Sequence, residues 1–256
     1  MELSEYHIER YARHILLPEV GGRGQQKLLQ ARVLVVGAGG LGCAAAPYLA
    51  AAGVGTVGLI DHDVVELSNL QRQVLYATEQ IGQFKAPLAA ARLQALNPDT
   101  TVVPYPQRLT ADNALSLFRD YDLVVDGSDN FPTRYLVNDA CVALGKPNAF
   151  GSVLGFEGQA SLFVPGGPCY RCVFPSPPPE GSVPTCAQAG VIGTAAGLIG
   201  LIQANEALKW LLQVGQTLAG RLLLVDALAM RFDEVQVERS RDCPACAGTI
   251  SSAKSK

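Results

Sequence analysis

The chain has 256 residues, 48% of them hydrophobic and 17% charged, with a formal net charge of −3. That is enough apolar chain for a full core in one large domain or two small ones. It carries neither the basic excess of a nucleic-acid surface nor the basic amphipathic stretch of a membrane-bound one, so partners of both kinds are excluded, and the acidic start Met1-Glu2-Leu3-Ser4-Glu5 has no apolar centre and is not a signal peptide.

Taken in chain order, residues 4–30 read as helical and polar, with a break from Pro18 to Gly24. Arg32 to Val36 is a β-branched run that ends in glycines, the pattern of a buried strand. Ala44 to Ala52 is a helix of small residues, and Thr56 to Ile60 is a second strand, ending at Asp61. Strand, glycine turn, helix and strand make a βαβ unit with a right-handed crossover. The alternation continues with a helix over Lys85 to Leu96, strands at Thr101 to Val103 and Leu123 to Val125, and a helix over Arg134 to Leu144. The pattern then changes. Ser152 to Leu154 and Gln159 to Val164 flank Gly155-Phe156-Glu157-Gly158, which predicts a hairpin, and Leu222 to Val225 and Phe232 to Val237 add two late strands. The apolar run Ala189 to Leu212 is broken by Gln203, Asn205, Glu206 and Lys209, so it reads as a buried helix and not a membrane span.

These elements predict an α/β fold: a Rossmann-like, doubly wound mixed sheet, parallel in its N-terminal half and antiparallel in its C-terminal strands. The expected division is a helical arm over 1–30, one domain over 31–248 with a proline-rich mobile loop at about 174–187, and a disordered tail over 249–256.

Two cysteine pairs, Cys169-x-x-Cys172 and Cys243-x-x-Cys246, fill the tetrahedral shell of a structural zinc and leave no open position for chemistry. Paired thiols in metal spacing, with no export signal, point to the reducing cytoplasm. Cys43 and Cys141 lie inside apolar helices and read as core thiols.

Gly37, Gly39 and Gly42 match G-x-G-x-x-G between a strand and a helix, with Gly40 in the same turn. Such a loop lets phosphate approach the backbone and the N–H groups of a helix start. Asp61 ends the next strand, roughly twenty residues on, where a carboxylate accepts from ribose hydroxyls. The loop alone does not separate NAD from ATP. Arg72 (within Ser68-Asn69-Leu70-Gln71-Arg72-Gln73), Lys85 and Asp129-Asn130 all fall at strand ends on the same sheet edge, and two cations with a carboxylate suit a triphosphate and its magnesium. Cys186 follows the proline-rich loop beside a helix start; it is either a nucleophile of lowered pKa or a half-exposed loop cysteine. His7, His14 and His62 read as surface or packing residues, none in a triad-like setting.

These motifs resemble those of the bacterial ubiquitin-activating-like adenylyltransferases, in particular the molybdopterin-synthase branch and its thiamine-pathway sister. The resemblance runs over about residues 4–248, through Arg10-Tyr11-Ala12-Arg13, Gly37 to Gly42, Asp61-His62-Asp63, Ser68 to Gln73, Lys85, Asp129-Asn130, Thr185-Cys186 and the cysteine pairs. It implies that ATP adenylates the C-terminal glycine of a small ubiquitin-fold sulfur carrier ending in Gly-Gly, and that a sulfur donor then forms a thiocarboxylate. By that likeness Asp61 binds ribose, Gly40 lies against the nucleotide, Asn69, Arg72 and Lys85 hold phosphates, and Asp129 binds magnesium. Backbone near Ser68, Leu70 and Gln71 contributes further contacts. Arg13 would reach the nucleotide of a second subunit, making a homodimer part of the site, and Cys186 would link covalently to the carrier. Some relatives carry a rhodanese domain after the second cysteine pair; the expectation here is a separate persulfide protein as donor. A thiamine or tRNA-thiolation carrier, a zinc-stapled NAD-dependent oxidoreductase and a non-enzymatic nucleotide sensor remain as competing readings.

Overall fold

The computed structural model describes residues 2–179, 181–182 and 186–249, with backbone alone for Cys186, Ala187 and Thr249. Three short helices, α1 (Glu5–Arg10), α2 (Ala12–Ile15) and α3 (Gly21–Gln30), open the chain. The expected break is shorter than the sequence implies, because Gly21 has a positive φ and starts α3 at once. Tyr11 and Leu28 are buried against the body that follows.

That body is one eight-stranded sheet in the order β3-β2-β1-β4-β5-β6-β7-β8. Its parallel part is β1 (Arg32–Val36), β2 (Thr56–Ile60), β3 (Thr101–Tyr105), β4 (Leu123–Asp126) and the start of β5 (Asn148–Leu154). From β5 onward the neighbours β6 (Glu157–Phe163), β7 (Arg221–Asp226) and β8 (Arg231–Gln236) run antiparallel. The crossover helices are α4 (Gly40–Ala51), α5 (Lys85–Leu96), α6 (Ala111–Arg119) and α7 (Phe131–Leu144), followed by the one-turn α8 (Tyr170–Val173) and α9 (Cys186–Ala189) and the long α10 (Gly193–Leu212). The mixed α/β class expected from the pattern is the one observed.

β1 shows why both faces are covered. Successive side chains point to opposite faces: Val33 and Val35 pack with Ala45, Leu49, Ala89 and Ala207, whereas Leu34 and Val36 pack with Leu117, Phe118, Val137 and Ala140. The first set belongs to α4, α5 and α10, the second to α6 and α7. Helix α10 lies in the protein as a buried helix, with Gln203 donating from Nε2 to the carbonyls of Asp126 (2.7 Å) and Ala149 (2.8 Å). Among the described residues no helix is long and apolar enough to cross a membrane.

Asp126, at the end of β4, is 1% exposed. Its Oδ1 accepts from the Ser128 N–H (3.1 Å) and Oγ (2.6 Å), while Oδ2 has no partner. Burial raises its pKa against the opposing Ser128 bonds and the Arg134 charge. The native state therefore holds this proton more tightly than the unfolded chain. Its contribution to stability is lowest above the raised native pKa and grows as pH falls toward the ordinary carboxylate value. Asp126→Asn is expected to be more stable than the parent above the raised native pKa, with the gap closing as pH falls toward the ordinary carboxylate range in denaturant titrations.

Candidate active site

The carboxyl ends of β1, β2 and β4 meet where the strand order reverses, between β1 and β4, the position at which open α/β sheets bind ligands. A cleft with an open volume of about 890 Å³ lies there. Its floor is the glycine loop. Gly37 has φ +88°, and a Cβ on it would stand 2.9 Å from the Gly127 carbonyl oxygen; a Cβ on Gly42 would stand 2.0 Å from the Gly37 oxygen. Both positions therefore require glycine. The loop bends tightly enough for α4 to begin at Gly40, earlier than its small-residue run suggested, and Gly39, Gly40 and Leu41 at the start of that helix line the cleft.

Asp61 closes one side. Its Oδ2 accepts from the Ala38 N–H and its Oδ1 from the Asp63 N–H, both at 2.8 Å. Burial raises its pKa, opposed by the Asp63 N–H, by Lys85 and by the Ala38 N–H. Tyr76 fixes the loop from beneath, its hydroxyl donating to the Ala38 carbonyl at 2.8 Å, and the Cys43 thiol points to the same oxygen (3.4 Å). Burial pushes the Cys43 thiol up to about 12, so it stays a neutral packing group. Cys141 is likewise buried.

The cations come from two elements. Lys85 opens α5, is 4% exposed, and pairs with Asp63 across 3.3 Å. Arg72 reaches the cleft wall, its Nη1 donating to the Ser68 carbonyl (3.0 Å) and its Cγ and Cδ each 3.6 Å from where a Cβ on Gly40 would begin. Asp129 and Asn130 line the opposite wall after β4. Asp129 is exposed and accepts from Asn130 Nδ2 (3.3 Å), while Asn130 Oδ1 caps α7 by accepting from the Thr133 N–H (2.9 Å).

Several expected residues stand outside the lining. Ser68, Asn69, Leu70 and Gln71 form the turn that carries Arg72, and Asn69 is buried with its Oδ1 accepting from the Glu66 N–H (3.3 Å). Gly42 is packed beneath the loop. Arg13 is exposed on α2, away from the cleft. Thr185 lies outside the described residues, as does the side chain of Cys186, whose backbone opens α9. The reading of the mobile loop and the tail falls partly on residues 180, 183–185 and 250–256, also outside them. His62, read as a surface or packing residue, lines the cleft wall, its Nε2 3.3 Å from Asp63. Sequence reasoning missed Tyr76, Gln73 and Arg108 in or under this cleft. Arg108 follows β3, so the rule that placed Arg72 and Lys85 at strand ends applied to it as well.

A second groove, with an open volume of about 1700 Å³, runs from the cleft across β5, β6 and β7. Phe150, Tyr170 and Phe174 give it an aromatic floor, and Asp129, Asn130 and Val153 border both spaces. Arg134 stands at the junction, its Nη2 donating to the Ser128 carbonyl (3.4 Å) and its guanidinium 5.4 Å from the Phe131 ring centre.

The four paired cysteines converge away from the cleft. Cys169 Sγ lies 3.9 Å from Cys172 and 3.5 Å from Cys243, Cys172 lies 3.5 Å from Cys246, and all four sulfurs fall within 4.8 Å of one another. Sulfurs about 2.3 Å from a shared tetrahedral zinc stand about 3.8 Å apart, so the cluster fits that ion and is too open for disulfides. Burial and the neighbouring thiols push Cys169 and Cys246 up, whereas at Cys243 burial is offset by the Cys246 and Ala245 N–H groups together with the Cys246 and Cys169 thiols, which lower it, so Cys243 is the member of the cluster closest to the thiolate a metal needs.

Cations set beside a glycine loop, in a cleft that opens onto a peptide-sized groove, define an ATP-using nucleotidyltransferase built on a dinucleotide fold. The ThiF family matches residues 11–245, and the chain belongs to that family. It is 55% identical over 252 residues to the Thermus thermophilus sulfur carrier protein adenylyltransferase, covering 96% of this chain and 93% of that one. It is 51% identical over 246 residues to the Haloferax volcanii SAMP-activating enzyme E1, covering 96% and 91%. The crystal structure of E. coli MccB with ATP shares the fold at a TM-score of 0.82 and 23% identity, covering 96% of this chain and 76% of the other. The protein is an adenylyltransferase.

Proposed function

We propose that the protein adenylates the C-terminal glycine of a ubiquitin-fold sulfur carrier of the molybdopterin-synthase small-subunit type, ending in Gly-Gly. The observation that carries this reading is the junction at Asp129: the nucleotide cleft and the aromatic-floored groove share that wall, so an extended chain end lying in the groove meets the cleft at its carboxylate.

The carboxylate is already ionised at neutral pH, so attack needs no general base. Its oxygen bonds to the α-phosphorus while the α–β bridging bond breaks, and pyrophosphate leaves with the electron pair. The barrier is charge: an anion approaches a polyanion. Arg72, Lys85 and the α4 N–H groups lower it, because fixed donors stabilise charge that grows in the transition state without having to reorganise. Lys85 then exchanges Asp63 for a phosphate oxygen. Asp129 is a hard oxygen ligand that pairs with no cation among the described residues, so it suits magnesium, which when bound neutralises phosphate charge. Asp61 holds the ribose while its carboxylate also keeps the Ala38 N–H in place. In the next step a persulfide-bearing protein gives the terminal sulfur that displaces AMP, and a thiol reduces the acyl disulfide to the thiocarboxylate.

Arg13 is exposed beside Leu16 and Leu17, of which Leu16 is 72% exposed. We assign this face to a homodimer in which Arg13 reaches the phosphates of the other subunit. Four thiols held as zinc ligands fit a reducing cytoplasm. Cys186 is the candidate for a covalent carrier link.

The test is to incubate the enzyme and ATP with each candidate carrier and weigh the products. An adenylate on the molybdopterin-type carrier alone is the expected result. An adenylate only on a thiamine-pathway or tRNA-thiolation carrier would move the substrate to that branch, and reduction of NAD would overturn the reading altogether.

A further inference from the structure

Gln73 follows Arg72 in the turn that shapes the cleft. Its N–H donates to the Asn69 carbonyl (3.0 Å) and its own carbonyl accepts from the Tyr76 N–H (3.2 Å). The side chain is 4% exposed, yet it forms part of the cleft wall. Oε1 is enclosed with no donor in reach. The amide end turns to the glycine loop, where Nε2 lies 3.7 Å from the place a Cβ on Gly39 would occupy. Among the described residues nothing accepts from Nε2, and unlike Oε1 it is not enclosed, so the amide offers the cleft a free donor rather than an acceptor.

We propose that Gln73 is a phosphate-recognising residue of the adenylation site, with Nε2 donating to a non-bridging oxygen of the ATP triphosphate beside the first N–H groups of α4. This rests on the reading of the cleft as an ATP site. The position selects phosphate over the other parts of a nucleotide. Gly39 is the last residue before α4, where the helix start presents N–H groups and positive potential, and Arg72, the neighbour of Gln73, packs on Gly40. The carboxylate suited to ribose, Asp61, accepts from the Ala38 N–H on the strand side of Gly39, and α4 begins on the other side. A neutral, directional donor there fixes where an oxygen sits, which the two cations alone do not.

The test compares ATP and adenosine binding to the full chain without carrier, ATP by titration calorimetry and adenosine by ligand-observed NMR. Gln73→Met keeps the volume and removes the donor. It is expected to weaken ATP about tenfold and leave adenosine unchanged, as befits one hydrogen bond to a charged group. Gln73→Glu replaces the donor by an anion and is expected to weaken ATP about a hundredfold, again sparing adenosine. Equal weakening of ATP and adenosine would assign Gln73 a purely structural role and overturn the proposal. Unchanged ATP affinity in Gln73→Met, or in Gln73→Glu, would assign its partner to a bound water and overturn it too. If Gln73→Glu does not fold, the Met variant decides by the same two readings. Failure of the unmodified protein to bind ATP would remove the underlying reading itself, an outcome distinct from either.

Discussion

Lys85→Met and Arg72→Ala are each expected to lower carrier-dependent ATP–pyrophosphate exchange by about 10²–10³-fold, the loss seen when one preorganised donor is taken from a developing charge. Asp129→Ala is expected to do the same by removing the metal ligand. The fold should survive all three changes. Lys85 is buried, but its partner Asp63 is 54% exposed and returns to water when the ammonium is removed. Arg72 contributes one backbone bond, to Ser68, and Asp129 one side-chain bond, from Asn130. Exchange assays and thermal melts on the same preparations separate chemistry from stability. Full exchange in both Arg72→Ala and Asp129→Ala would show that the cleft is not where the α-phosphate reacts.

Stripping a zinc held by the four-cysteine cluster is expected to act in the opposite way. The cysteine cluster joins the turn after β6 to the chain after β8, so an ion there would hold both ends of the segment that carries α9, α10 and the last two strands. Its loss should lower the melting temperature, by about 2–4 °C for each kcal/mol the ion contributes to a chain of this size. ATP affinity measured well below the transition should be unchanged, because no cysteine of the cluster lines the cleft. An unaltered melt after complete removal, verified by metal analysis, would contradict a structural role.

Much of this architecture is legible in the sequence because its signals are local. Arg32 to Val36 followed by three spaced glycines specifies strand, turn and helix within one stretch of chain, and the cysteine spacing specifies a tetrahedral cluster whatever lies between the pairs. Helix α6 is absent from that reading, although its cap was visible: Thr110 precedes a short run in which Ala114, Leu117 and Phe118 fall on one face, and the Asn113 side chain accepts from the Thr110 N–H (2.9 Å). A run this short gives too little periodicity to outweigh its flanking polar residues. What the sequence does not carry is tertiary. Tyr76 and Gln73 meet the glycine loop only because the turn after β2 folds back over it, and the groove exists only because Phe150 of β5 packs with Tyr170 and Phe174 at the two ends of α8. The environment of Lys85 follows the same logic: its position at a strand end is readable, its burial against Asp63 is not.

The central claim is that a peptide carboxylate oxygen becomes bonded to the α-phosphorus of ATP in this cleft. The most direct test labels both oxygens of the carrier's terminal carboxylate with ¹⁸O, supplies ATP and a sulfur donor, and weighs the AMP released. Attack by the carboxylate predicts AMP carrying one ¹⁸O atom for each thiocarboxylate formed. Thiocarboxylate formed with unlabelled AMP would contradict it, since the oxygen would then never have joined the phosphate.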